Sequence, residues 1–168
     1  MAVYSKEDLI GFRPRRDSFV GIDSDGCVFD SMEVKQCVHF HPLIVAHWQL
    51  ESVEVQLREA AEFVNLRSRW RGSNRFAALL RVFDLLAARE DVLATGIKLP
   101  EVAALRRYVE SGVSLGVPSL EQEVARSADP ELLRVLEWSR AVSSDIDRNM
   151  EAIPPFAASL KALALLQE

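Results

Sequence analysis

Gly21-Ile22-Asp23-Ser24-Asp25-Gly26-Cys27-Val28-Phe29-Asp30-Ser31 places two carboxylates one residue apart at the end of a short apolar run. The residues leading into it, Ser18, Phe19, Val20, Gly21 and Ile22, read as a buried strand, and Gly26 permits a sharp exit just beyond the acids. Two acids at a strand end that turns there can both be aimed at one substrate. Phosphoryl transfer asks mainly for such positioning and for neutralisation of charge. An acidic turn between two elements has a similar composition, but it does not require the preceding apolar run or the following Asp30-Ser31. A calcium loop of the EF-hand type is excluded by spacing, because Gly26 is fourth from Asp23 rather than sixth.

The segment resembles motif I of the haloacid dehalogenase superfamily, an apolar strand followed by Asp-x-Asp-Gly and then Asp-Ser or Asp-Thr, here Asp23, Asp25, Gly26, Asp30 and Ser31. Cys27 stands where that family usually has Thr or Val. The resemblance implies an α/β fold with a Rossmann-type core, a catalytic nucleophile at Asp23 and a proton carrier at Asp25. It further implies a Mg²⁺ ion bound by the Asp23 carboxylate and the Asp25 backbone carbonyl. The second acid points to phosphate chemistry, since members that cleave carbon–halogen bonds lack it.

Beyond Ser31 the patterns are helical. Met32 to Phe40 reads as a helix ended by Pro42, with a further turn over Leu43 to Trp48. Val53, Val55, Leu57, Ala60, Ala61, Phe63 and Val64 form the next apolar face. Asn74 reads as the cap of a helix whose inward residues are Phe76, Leu79, Leu80, Phe83 and Leu86. Pro100 opens a helix through Val109, Ser119 and Gln122 fit a capping box, and Asp129-Pro130 starts a long helix toward Met150. Pro154-Pro155 separates that helix from a last one, Phe156 to Leu166. Against the resemblance, this order divides the chain into a core piece at 1–31, a helical cap at 32–153 and a helix returning to the core at 154–168. In the family a strand ending in Ser or Thr, a Lys and a pair of acids come next, so the expectation is an incomplete N-terminal portion, inactive when expressed alone. On that expectation the apolar residues Phe156, Leu160, Leu163 and Leu166 would drive association with a second copy or with a missing C-terminal core.

Arg67, Arg69, Arg71 and Arg75 crowd around Gly72 in a chain whose net charge is −5. Guanidinium groups bind phosphate bidentately, so Arg71, Asn74 and Arg75 are candidate substrate-binding residues; the alternative is a solvated face paired with Glu59, Glu62 and Asp84. His39, His41 and His47 read as partly exposed cap histidines rather than metal ligands, because residues two apart on a helix point apart. Trp48, Trp70 and Trp138 read as cap core, with Trp70 the one reaching substrate, and Arg13, Arg15 and Arg16 as a solvated arm.

At 168 residues with 49% hydrophobic and 27% charged composition, the chain is an ordinary globular sequence able to bury a sizeable core. The acidic balance argues against nucleic acid, and no run approaches the apolar length of a membrane span or a signal peptide, which points to the cytoplasm. Cys27 and Cys37 are too few for a disulfide framework and read as reduced packing residues. The expected activity is Mg²⁺-dependent hydrolysis of a small phosphorylated metabolite through an aspartyl-phosphate. A phosphomutase and a non-catalytic helical protein-interaction module that retains the motif are the alternatives.

Overall fold

The computed structural model describes residues 11, 13, 21–151 and 153–166. Among them the chain forms eight helices and no β-strand. Helix α1 runs over residues 31–48 as Ser31–Val34, a π-helical stretch Lys35–Phe40 and His41–Trp48. Helix α2 covers residues 51–67, opening with a 3-10 turn at Glu51–Val53, continuing through Glu54–Glu62 and ending in the π-helical Phe63–Arg67. The remainder are α3 (Arg75–Ala87), α4 (Glu90–Leu93), α5 (Ala103–Glu110), α6 (Val117–Ser127), α7 (Pro130–Asn149) and α8 (Ala157–Leu165).

The expected α/β architecture with a Rossmann-type core is therefore overturned. A strand is stable only when its N–H and C=O groups find a neighbour. Gly21 and Ile22 are unpaired, and Ile22 is 45% exposed rather than buried. Ser18, Phe19 and Val20, the rest of the expected strand, lie outside the described residues, as do Arg15 and Arg16. The β-type pairing that does occur is confined to isolated bridges, Asp25 with Phe29 and Phe29 with Pro155.

Pro42 does not break α1. A proline in a helix interior withholds its N–H and crowds the carbonyl four residues back. Here that turn is widened into the π-helical stretch immediately before His41, which absorbs the misfit and lets the helix run on to Trp48. On α2 the buried residues are Val53, Leu57, Ala60, Ala61 and Val64, a stripe of period three to four, whereas Val55 and Phe63 face outward. All five residues assigned inward on α3 are buried. Asn74 caps that helix by accepting from the Phe76 N–H at 2.9 Å, and Asp129 caps α7 by accepting from the Glu131 N–H at 2.9 Å. Pro100 lies ahead of α5 rather than within it. Ser119 sits inside α6, not at its cap: its hydroxyl accepts from the N–H of Gly116, where the helix begins ahead of Pro118.

Helix α7 is the centre of the bundle and packs on α1, α5 and α6, while α2 packs on α1 and α3. Its Trp138 meets Phe40 and Trp48 edge to face at centroid separations of 5.9 and 6.0 Å, and Trp48 meets Phe83 at 5.1 Å. Helix α8 stands apart from this core and buries none of its residues. None of the helices is long and apolar enough to cross a membrane, among the described residues.

Candidate functional site

The acidic loop is held by its own backbone. After Asp23 the chain turns tightly, with the Val28 and Phe29 N–H groups both donating to the Ser24 carbonyl at 3.0 Å and the Gly26 N–H donating to the Phe29 carbonyl at 2.8 Å. Gly26 has φ +72°, and a Cβ there would stand 3.0 Å from the Met32 Cγ and 3.4 Å from an Arg71 Nη2. Glycine is required on both counts. The returning end of the chain is fastened to this loop, because the Phe156 N–H donates to the Val28 carbonyl at 2.8 Å and the Ser159 hydroxyl to the Cys27 carbonyl at 3.0 Å.

The two acids differ in their surroundings. Asp23 is exposed, and its carboxylate has no hydrogen-bond partner among the described residues. Asp25 is partly buried and accepts from the Ser31 hydroxyl at 2.6 Å and from the Lys35 ammonium at 2.5 Å. Those two donors, Lys35 first, hold its carboxyl below the usual carboxylate range. Asp23, Asp25, Gly26, Arg71 and Gly72 line one open cleft. Asp25, Met32 and Gly72 also line a second cavity of about 410 Å³ between α1, α3 and α7, so the two spaces adjoin at Asp25. That volume is in the range of small-molecule sites.

The arginine cluster divides. Arg67 is paired with Glu62 at 2.9 Å and Arg69 lies over the Trp70 ring, but Arg71 lines the cleft beside Asp23 and Arg75 lines the deeper cavity. Glu59 pairs instead with Arg89, and Asp84 with Arg81 and Arg106. Arg75 Nη1 donates to the Ser139 carbonyl, the Ser139 hydroxyl and the Ser143 hydroxyl at 3.1–3.3 Å, and its guanidinium lies over the Phe40 ring. Burial alone lowers its pKa. Asn74 spends its side chain on the α3 cap and on the Leu115 carbonyl, and lines neither opening. Trp70 is held between Arg69 and Arg81 and lines neither opening either.

Of the three histidines, His47 is partly exposed as expected, with Nδ1 2.9 Å from the Leu43 carbonyl oxygen, and the other two are not. His39 is buried with Nδ1 2.7 Å from the Asp145 carboxylate, and His41 is fully buried with neither ring nitrogen hydrogen-bonded. Burial, with Arg58 nearby, pushes the His41 pKa down to about 4. Among the described residues no three His, Cys, Asp or Glu side chains gather as a metal cluster. Mg²⁺ does not require one, since it keeps several waters and takes one or two carboxylates together with phosphate oxygens. The unpartnered Asp23 carboxylate and the Asp25 carbonyl fit that donor set. Cys27 is exposed rather than packed, and Cys37 is partly buried with its thiol pKa raised by burial.

Helix periodicity alone does not reveal that Gln36 and Trp138, two residues beside the deeper cavity, each bury a polar atom without a partner, the Gln36 Oε1 and the Trp138 Nε1–H. No family model matches the chain, and comparison with curated proteins and with solved structures gives no match either.

Proposed function

We propose that the acidic loop is the reacting end of a Mg²⁺-dependent hydrolase of small phosphate esters, working through an aspartyl-phosphate as in the haloacid dehalogenase superfamily. One observation carries the reading: both acids and Arg71 line one cleft, which shares Asp25, Met32 and Gly72 with a cavity of metabolite size where Lys35 pairs with Asp25. The Asp23 carboxylate and the Asp25 carbonyl would hold Mg²⁺, which would supply neutralisation of phosphate charge. The Asp23 carboxylate attacks phosphorus, the ester P–O bond breaks, and the leaving oxygen takes a proton from Asp25. Asp25 then removes a proton from water, which attacks the aspartyl-phosphate and releases phosphate. At rest Asp25 is paired with Lys35 and so ionised, the state suited to the second half of the cycle. For the first half it must carry a proton, so an entering phosphate has to draw the Lys35 ammonium away and let Asp25 take up a proton from solvent, while Arg71, in the same cleft as Asp25, pairs with the phosphate.

The test is Mg²⁺-dependent hydrolysis of a panel of small phosphate esters by the longest natural reading frame that contains this chain, wild type and Asp23→Asn. Turnover that vanishes in Asp23→Asn supports the reading, because a carboxamide does not accept the phosphoryl group. Full turnover in that variant, or none in the wild type, overturns it. A second reading, a helical protein-interaction module, is favoured by the exposed apolar residues Phe156, Leu160, Leu165 and Leu166 on and beside α8. It predicts that ester binding is absent while Leu160→Asp abolishes a specific assembly, with a second copy or another protein.

A further inference from the structure

The turn between α2 and α3 carries positive charge that the protein does not neutralise. Elsewhere on the bundle arginines are matched to carboxylates: Arg58 to Glu54, Arg67 to Glu62, Arg89 to Glu59 and Asp91, Arg126 to Glu123 and Arg140 to Glu121. Around Trp70 the matching fails. Arg69 has no carboxylate and no hydrogen-bond acceptor among the described residues, and its guanidinium lies 5.1 Å from the Trp70 ring centroid. Arg81, on α3, lies 5.3 Å from the centroid of the same ring. Its carboxylate is that of Asp84, which also takes Arg106. Three guanidiniums thus share one carboxylate, and two positive charges stand unmet on the surface of a chain whose net charge is −5.

This patch is fixed in place and joined to the acidic loop. The Arg71 N–H donates to the Ser68 carbonyl at 3.1 Å, the Ser73 N–H to the Trp70 carbonyl at 2.9 Å and the Trp70 N–H to the Ser68 hydroxyl at 3.1 Å, so the turn is shaped by its own bonds. Arg71, the residue after Trp70, reaches back to the loop, where its Nη2 stands 3.4 Å from the position a Cβ would take at Gly26. One arginine side chain therefore spans from the cleft at Asp23 to the rim at Trp70. An extended ligand with one phosphate in the cleft beside Arg71 can set its other end on Arg69 and Arg81.

Charge selects the group at that end. A carboxylate brings one negative charge, whereas a phosphate brings about 1.5 to 2 near pH 7, with three acceptor oxygens that suit guanidinium forks. Both guanidiniums are held against the indole before a ligand arrives, which lowers the cost of ordering them. Arg67, two residues from Arg69, is already paired with Glu62, so the patch is local rather than a diffuse basic surface.

We infer that the ligand of this site is a bisphosphate, one phosphate lying in the cleft at Asp23 and the second held on the rim by Arg69 and Arg81 beside Trp70. This rests on the phosphate-ester reading for the end in the cleft, and not for the end on the rim. Isothermal titration calorimetry in EDTA, which stops Mg²⁺-dependent turnover, compares fructose 1,6-bisphosphate with fructose 6-phosphate. The bisphosphate should bind about tenfold more tightly, a preference lost in Arg69→Gln and kept in Arg67→Gln, which removes the same net charge. Because Arg81 also bonds Asp84, Arg81→Gln serves as the second variant, and it should weaken the preference several-fold at an unchanged melting temperature. Equal affinity for the two probes in the wild type overturns the inference. So does an equal loss of preference in Arg67→Gln and Arg69→Gln, which marks unspecific attraction, or absence of binding by both probes. Release of phosphate on adding Mg²⁺ judges the hydrolase reading separately. An Arg69-dependent preference without Asp23-dependent release upholds the rim site and overturns the hydrolase reading, while Asp23-dependent release from both esters with equal KM leaves that reading standing and overturns the inference.

Discussion

The bundle over residues 31–149 and the segments that flank it, 21–30 and 153–166, are held together by different forces. In the bundle, α7 lies against α1, α5 and α6, and large side chains such as Leu57, Leu105 and Trp138 are fully buried. The flanking segments have almost no core. The acidic loop and α8 are joined by a few backbone and hydroxyl hydrogen bonds, and α8 leaves its leucines in solvent. Local hydrogen bonds are enough to shape a loop, while burial of apolar area is what stabilises a domain. The buried core thus lies within the bundle, and the acids sit at its edge, tied to it by the bonds from Ser31 and Lys35 to Asp25.

Changes in the loop should affect chemistry, and changes in the bundle should affect folding. The largest effects belong to the loop. Alongside the loss of turnover expected for Asp23→Asn, Asp25→Asn should cut turnover by about 10²–10⁴-fold, with the melting temperature little changed. A variant that loses stability rather than rate would erase the distinction between the two regions. Lys35→Met should raise the Asp25 pKa toward its ordinary 3.8 and move the acidic limb of the pH–rate profile to higher pH. The folded-state pKa of Asp25 is depressed, so its pairing contributes stability above the unfolded value, and this is lost as pH falls through the folded one.

Within the bundle, Leu57→Ala should cost about 2–5 kcal/mol in denaturant unfolding, because a fully buried side chain leaves a cavity. The same truncation at Leu160 on α8 should stay within about 0.5 kcal/mol. Similar costs at both sites would show that α8 is part of the core.

His41 sharpens the contrast through pH. It is buried and neutral, with a folded pKa of about 4 against an ordinary 6.5, so the unfolded chain binds the extra proton first. The stability this implies is full above pH 6.5 and is lost as pH falls toward 4, by about 3 kcal/mol across that window. Denaturant melts at pH 7 and pH 4.5 should show the loss in the wild type and a much smaller one in His41→Leu. An unchanged pH dependence in that variant would assign the loss to other groups. The smallest effect is expected for Arg71→Ala, an exposed residue at the cleft, which should raise KM for phosphate esters severalfold and leave the melting temperature unaltered.

What the sequence determined by itself is what depends on neighbours a few residues away. The Asn74 and Asp129 caps, the inward stripe of α3 and the tight turn at Gly26 are local matters of side-chain reach and backbone freedom, and they occur where the residue pattern places them. The candidate site was legible in part: residue type and spacing single out the acids, Arg71 and Arg75, which line the two openings, and also Asn74 and Trp70, which line neither. Tertiary structure alone decided the rest. A strand is made by its partners, and Gly21 and Ile22, ahead of Asp23, find none among the described residues. The Pro42 turn was settled by whether a wider helical turn could absorb the ring, and the fates of the arginines by what lay within reach, Glu62 for Arg67, the Trp70 ring for Arg69 and the Ser139 and Ser143 oxygens for Arg75. The burial of His41 near Arg58 and the bonds from Arg75 to Ser139 and Ser143 join residues distant in sequence, and no local pattern encodes that proximity.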